Sequence, residues 1–297
     1  MPEAAGRPVV DDHFFFAPHS TGEALYAFTH QPMGPVRIGV VIVPPIGRER
    51  LRISQEIPTL GRDLAERGFP VIRFDYRGEG ESGGPFAEST MISRVEDAVA
   101  AAAELTRRSG ADRIALIGFH LGATIAVLAA ARVRAEWLVL CDPVLKPQSY
   151  ARNLLRASIL QEGQYRRRLP VSEPDLRATL RAGHAINVFG FSVTAPLIDE
   201  LEALHLEKPL REFPGHSTIT YFASRCEPPP RDVADSATLL GAPDRCAVQP
   251  ISMNFSWGTR KRWRRGLCPL NDAILTWLQN QDSGRGSIQP IPVRSGR

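Results

Sequence analysis

The sequence predicts an α/β fold: a mostly parallel central sheet flanked by helices, with a helical cap inserted over it. Three observations carry this expectation. Short apolar runs alternate with helical patterns from residue 37 to residue 141. The runs are apolar at nearly every position, as strands buried on both faces must be. The alternation then breaks after Pro143, over a stretch too long for a plain connection.

In chain order, residues 1–12 read as a mobile start, and 13–17 and 23–29 as strands joined by a Pro/Gly-rich turn. Residues 37–45 form the first buried strand, ended by Pro44-Pro45, because proline has no N–H for a strand ladder. Residues 53–67 have helical apolar spacing and stop at Gly68; 70–76 is the second buried strand. Residues 89–108 form an alanine-rich helix ended by Gly110, 113–119 the third strand, and 121–133 a helix that starts at once. Residues 137–141 are the fourth strand, closed by Asp142-Pro143. Residues 144–210 look mostly helical and form the cap insertion. The strand pattern resumes at 217–223, followed by a helix at 232–240, a strand at 246–253 and a helix at 270–281. The expected division is a core of 13–143 and 211–281, the cap at 144–210, and a disordered tail at 282–297, rich in Gly, Ser, Pro and Arg.

Composition sets the class. The 297 residues, 43% hydrophobic and 23% charged, suit one large globular α/β unit. A net charge of +4 does not argue for nucleic acid. Basic runs at 166–168 and 260–265 read as solvated loops, the second with an anion-binding alternative. No basic stretch followed by an apolar run marks a signal peptide, and no run approaches the ~18 apolar residues of a membrane span. Cys141, Cys226, Cys246 and Cys268 lack metal spacing and are expected to be reduced thiols. The expected location is cytoplasmic, with no cofactor and no metal.

The strongest motif is Gly118-Phe119-His120-Leu121-Gly122, between a buried strand and an alanine-rich helix. So sharp a turn needs small residues around its central position, and it pushes that side chain out over the end of the sheet. Histidine enters positive φ more readily than most residues and tolerates the place. The run Asp75-Tyr76-Arg77-Gly78-Glu79-Gly80-Glu81-Ser82-Gly83-Gly84 follows the second buried strand, and Pro44-Pro45-Ile46-Gly47 follows the first.

These motifs make residues about 37–143 resemble the α/β-hydrolase superfamily, especially its serine-aminopeptidase-like branch. The run from Pro44 to Arg52, the Phe74–Gly84 loop and Asp142-Pro143-Val144 are similar to exosortase-system-associated hydrolases. The resemblance implies a nucleophile elbow at residue 120 and an oxyanion hole from the N–H groups of Leu121 and Ile46. It also implies the chain order serine, acid, histidine. Here the serine is His120. The acid is Asp142, Glu227 or Asp232, and no histidine follows His216, although the family's should come after the last strand. The arginine run with Arg260, Arg262 and Arg264 stands in that loop and suits an anionic ligand.

A Ser-His-Asp hydrolase is therefore not expected. One reading makes His120 a general base, oriented by Asp142 or Glu227, or itself the nucleophile, acting on a small-molecule acyl ester or thioester. In the bland reading His120 fills the old nucleophile position inertly, and the protein binds a small acyl or anionic ligand or serves as a scaffold. Asp142 then caps a helix or pairs with an arginine, Glu227 and Ser82 are turn residues, and Cys141 is core. His184 in the cap and His216 at a strand edge are secondary candidates. The segment Gly190–Thr194 looks faintly like an elbow without its second glycine.

Overall fold

The computed structural model of the protein describes residues 6–18, 22–36, 38–166, 171–223, 228–252, 257 and 268–283. Strands β1 (Val9–Phe16) and β2 (Leu25–Pro32) form an antiparallel hairpin, from Val9 opposite Pro32 to Phe16 opposite Leu25. The strand thus begins inside the stretch expected to be mobile. Asp11 and Asp12 look like a solvated start, but their partners come from far along the chain. Asp11 accepts from His30 Nδ1 at 2.7 Å and from Arg62, and Asp12 accepts from Arg108 at 3.1 Å.

β3 (Ile38–Val43) leads into α1 (Gly47–Arg52) and α2 (Glu56–Glu66), two helices where the spacing predicts one. Ile53, buried, closes the first with non-helical dihedrals. Then come β4 (Val71–Phe74), α3 (Met91–Ser109), β5 (Arg113–Phe119), α4 (Leu121–Val133) and β6 (Trp137–Cys141). Thr90 and Ser93 form a capping box that starts α3, and Gly110 ends it in the left-handed region (φ 70°). After β6 come α5 (Pro147–Arg166), α6 (Glu173–Arg181), β7 (Ile186–Val188), β8 (Phe191–Val193), α7 (Ala195–Ala203) and α8 (Glu207–Glu212). The helical expectation missed the small hairpin β7–β8. Its two-residue turn puts Phe189 (φ 52°) and Gly190 (φ 96°) in positive φ, the geometry that tight hairpins demand. β9 (His216–Ala223), α9 (Arg231–Leu239), β10 (Cys246–Ser252) and α10 (Cys268–Asp282) complete the chain. The expected tail beyond residue 283 lies outside the described residues.

The eight-stranded sheet runs β1-β2-β4-β3-β5-β6-β9-β10, antiparallel at the first two pairings and parallel thereafter. Alternation along β3 explains why its sequence reads as continuously apolar. Val41 and Val43 pack into the layer of α3 and α4, while Ile38, Val40 and Ile42 pack into that of α2 and α10. Each such side chain contributes about 1.5–3 kcal/mol by leaving water. Among the described residues no helix is long and apolar enough to cross a membrane.

Candidate functional site

His120 sits where β5 meets α4, with φ 51° and ψ −116°, a backbone conformation that most residues avoid. Its flanking glycines have a steric cause. A Cβ on Gly118 would strike the Ala123 backbone, and one on Gly122 would strike the carbonyls of Val43 and Pro44. The elbow is therefore wedged against the loop after β3. Cys141 O accepts the His120 N–H at 2.9 Å, and His120 O accepts from Val144 at 3.2 Å. Leu121 is the first residue of α4, so its N–H has no acceptor within the helix.

Two aromatic rings pack on the side chain. The Trp257 indole stacks on the imidazole at 4.6 Å between centroids (25° between planes), and the Tyr150 ring meets it edge-on at 5.5 Å. His120 is half-buried as a residue, and its Nδ1 is buried with no hydrogen-bond partner among the described residues. Burial alone acts on its titration and lowers the pKa from 6.5 to about 3. No carboxylate counteracts that loss, and His120 is neutral throughout the physiological range.

Asp142 follows β6 with φ 43°, but its carboxylate does not serve His120. Asp142 Oδ2 accepts the Trp257 Nε1–H at 2.7 Å, and the carboxylate also accepts the Phe222 N–H. Burial raises its pKa, and these two bonds pull it back down. Neither expected alternative, a helix cap or an arginine partner, describes this residue. Trp257 lies five residues beyond β10, in the segment where the resemblance places a histidine. It reproduces one half of that histidine's work, an N–H donated to the acid. It cannot do the other half, because an indole has no basic nitrogen.

The loop after β3 is pinned at two points. Pro44 O accepts from the Tyr76 hydroxyl at 2.9 Å, and Glu79 Oε2 accepts the Gly47 N–H at 3.0 Å. Ile46 between them is extended (φ −100°, ψ 159°) and precedes α1. Glu79 is itself held by Arg94 Nη2 at 3.1 Å, and Arg94 Nη1 donates to Ser89 Oγ at 2.5 Å. Glu79 and Arg94 are both buried. Nearby, the Arg77 backbone N–H and Nε each donate to the Asp97 carboxylate at 2.9 Å.

Beside Ile46 opens a cleft of about 500 Å³, lined also by Glu49, Tyr150, Leu154, Val188 and Phe191. The Tyr150 hydroxyl donates to the Glu49 carboxylate. Burial raises the Glu49 pKa against the opposing pull of its own backbone N–H, Arg48 and Tyr150.

The serine aminopeptidase S33 family matches residues 39–184. Est1E from Butyrivibrio proteoclasticus, with ferulic acid bound, superposes with a TM-score of 0.67 at 15% identity, over 91% of this chain and 99% of that one. The chain has the α/β-hydrolase fold. Two other solved structures share that fold. A serine hydrolase without a lid from Xanthomonas campestris gives a TM-score of 0.54 at 16% identity, over 92% of this chain and 96% of that one. An esterase from Pyrococcus furiosus gives 0.56 at 13% identity, over 83% of each chain. No curated protein matches the chain in sequence.

Within this α/β-hydrolase fold, His120, Asp142, Leu121 and Ile46 gather at one end of the sheet, although His120 and Asp142 do not bond. Glu227 and the arginines Arg260, Arg262 and Arg264 lie outside the described residues. Asp232 is half-buried at the start of α9, 3.7 Å from Lys146. Burial pushes the buried Cys141 thiol up to about 12, so it supplies no thiolate. Ser82 is a turn residue: Oγ donates to Asp75 O at 2.7 Å and accepts the Tyr26 N–H at 2.8 Å. Ser192 belongs to β8 and is exposed, not raised on an elbow. His184 is exposed, and His216 is exposed at the start of β9, the opposite end of the sheet from the elbow. Sequence reasoning missed Trp257, Tyr150 and Glu49. For Trp257 the signal existed: an aromatic donor just past the last strand, where a histidine was sought. Among the described residues no group of three His, Cys, Asp or Glu is placed to hold a metal.

Proposed function

We propose that this chain binds a small acyl ligand, an ester or thioester, in the cleft beside Ile46 and does not hydrolyse it by triad chemistry. The observation that carries this reading is the Trp257 indole, which bonds Asp142 and stacks on His120 in the segment where a triad histidine would stand. Two of the three catalytic functions are thereby lost. Asp142 orients a group with no basic nitrogen, and His120, with a pKa of about 3, is a poor acceptor of a water or alcohol proton. The apolar walls of the cleft favour an acyl chain, and the N–H groups of Ile46 and Leu121 would receive its carbonyl. Arg260, Arg262, Arg264 and Glu227 belong to this reading only as candidate neighbours of an anionic portion of the ligand. A cytoplasmic location and kinship with the exosortase-system-associated hydrolases are part of the same proposal.

A second reading, hydrolysis or acyl transfer with His120 as base or nucleophile, is favoured by one feature. The elbow retains Gly118, Gly122 and the strained backbone that present residue 120 over the sheet. The experiment that separates the two measures turnover of p-nitrophenyl butyrate and an acetyl thioester by wild type and His120→Ala. It also follows the thermal shift produced by methyl butyrate, with and without Ala157→Trp, which fills the cleft. The expected result is turnover equal to buffer for both proteins, and a shift that Ala157→Trp abolishes. Wild-type turnover that falls by about 10² or more in His120→Ala would establish the second reading.

A further inference from the structure

A second cavity, of about 570 Å³, lies on the other side of α1, lined by residues of β2, β3, β4 and both first helices. Gly47, Arg48 and Glu49 face the cleft already described, while Arg50 and Leu51 line this one. Its wall is mixed, with Phe28, Phe74, Ile42 and Ile57 supplying the apolar part. Set into that wall are two guanidiniums, Arg50 and Arg73, and one carboxylate, Asp75. Asp75 is already engaged: it pairs with Arg50 and accepts the Glu81 N–H at 3.0 Å.

Among the described residues Arg73 forms no salt bridge, although the Asp75 and Asp11 carboxylates act on its charge from further off. Its one hydrogen-bond partner among the described residues is His30, through Nε–H to Nε2 at 3.3 Å. His30 donates from Nδ1 to Asp11 at 2.7 Å, which assigns its Nε2 as the acceptor. Burial lowers the His30 pKa, so that ring is neutral and answers no charge. The Arg73 guanidinium lies 4.2 Å from the centre of the Phe28 ring, directly opposite it on β2. A half-buried cation whose direct hydrogen bond goes to a neutral ring is only partly compensated, and an anion in the cavity would complete the compensation.

We propose that this cavity is a second ligand site, for a small organic carboxylate with an apolar body. The carboxylate takes the free edge of the Arg73 guanidinium, and the body packs on Phe28, Phe74 and Ile57. Charge and shape select this class. The lining carries two guanidiniums against one carboxylate, an excess that matches a monoanion better than inorganic phosphate. The planar guanidinium fork presents parallel donors that fit a carboxylate. The site is independent of the cleft beside Ile46 and stands whether or not that cleft binds an acyl group.

The test is calorimetric titration of the full chain with phenylacetate, 2-phenylethanol and inorganic phosphate. Three variants accompany wild type: Arg73→Gln removes the charge, Ser54→Trp fills the cavity from an exposed turn with Arg73 left in place, and Ala157→Trp fills the other cleft. Phenylacetate is expected to bind wild type and Ala157→Trp equally. Arg73→Gln, Ser54→Trp and replacement of the acid by 2-phenylethanol should each weaken binding at least tenfold. Phenylacetate binding that survives both Arg73→Gln and Ser54→Trp overturns the proposal. So does binding lost in Ala157→Trp, phosphate binding as tight as that of phenylacetate, or no binding of phenylacetate at millimolar concentration.

Discussion

Two polar clusters lie side by side at the end of the sheet, and they handle burial in opposite ways. In the loop after β4, Glu79 meets Arg94 and the Gly47 N–H, Arg77 meets Asp97, and Asp75 meets Arg50. Arg94 Nε is the one atom of that set among the unpartnered buried side-chain atoms. At the elbow, the imidazole Nδ1 has no polar partner among the described residues, and the Trp257 and Tyr150 rings pack on it. The first cluster keeps its charges by pairing them. The second keeps its polar group by never charging it. The paired loop holds its backbone by balanced charges, while the elbow holds a strained backbone around a neutral ring.

The comparison breaks first at Arg94. Arg94→Leu leaves Glu79 buried and unpaired and is expected to lower stability by about 3–5 kcal/mol in urea unfolding. A loss below about 1 kcal/mol would show that the loop does not depend on its pairing. At the elbow, Trp257→Phe keeps most of the ring and deletes the donor to Asp142. It is expected to remove about 1.5–3 kcal/mol and to raise the Asp142 pKa further; an unchanged carboxyl titration by NMR would contradict the hydrogen bond.

Proton linkage gives a smaller effect with a definite sign. The unfolded chain protonates residue 120 near 6.5, whereas the folded chain does so near 3. The unfolded state therefore binds the extra proton between those values, and stability falls as pH drops from 6.5 towards 3, by at most about 1.4 kcal/mol per unit. Wild type should lose stability more steeply than His120→Gln across that window, while the raised Asp142 acts on both and cancels in the difference. Parallel slopes would mean that His120 is solvated. The smallest effect concerns the backbone. At φ 51°, His120→Gly should be more stable than His120→Ala by about 1 kcal/mol, the reverse of the usual helix-side preference. Equal melting temperatures would argue that the elbow relaxes once the ring is gone.

Much of the fold was legible because burial on both faces writes a continuous apolar run, as at β3, and because Gly118 and Gly122 mark a turn that only small residues permit. What escaped depended on distant partners. The aspartates of β1 look solvated until His30, Arg62 and Arg108 are placed beside them. The helix expected at 53–67 matches α2, while the short α1 before it, closed by Ile53, left no helical spacing to read. At the site, His120 was visible as an anomaly. Its fate was not, because that is set by Trp257 and Tyr150, which arrive from the segment after β10 and from α5. An aromatic residue in a loop carries no sign of which side chain it will cover.

The link from Trp257 to Asp142 also makes the molecule a starting material for engineering. A scaffold for acyl chemistry needs an acid already in position, a donor already aimed at it, and a strained pedestal for the attacking atom. This chain supplies all three, and each is fixed by packing independent of catalysis. A hydrolase built here would begin from new side chains at residues 120 and 257.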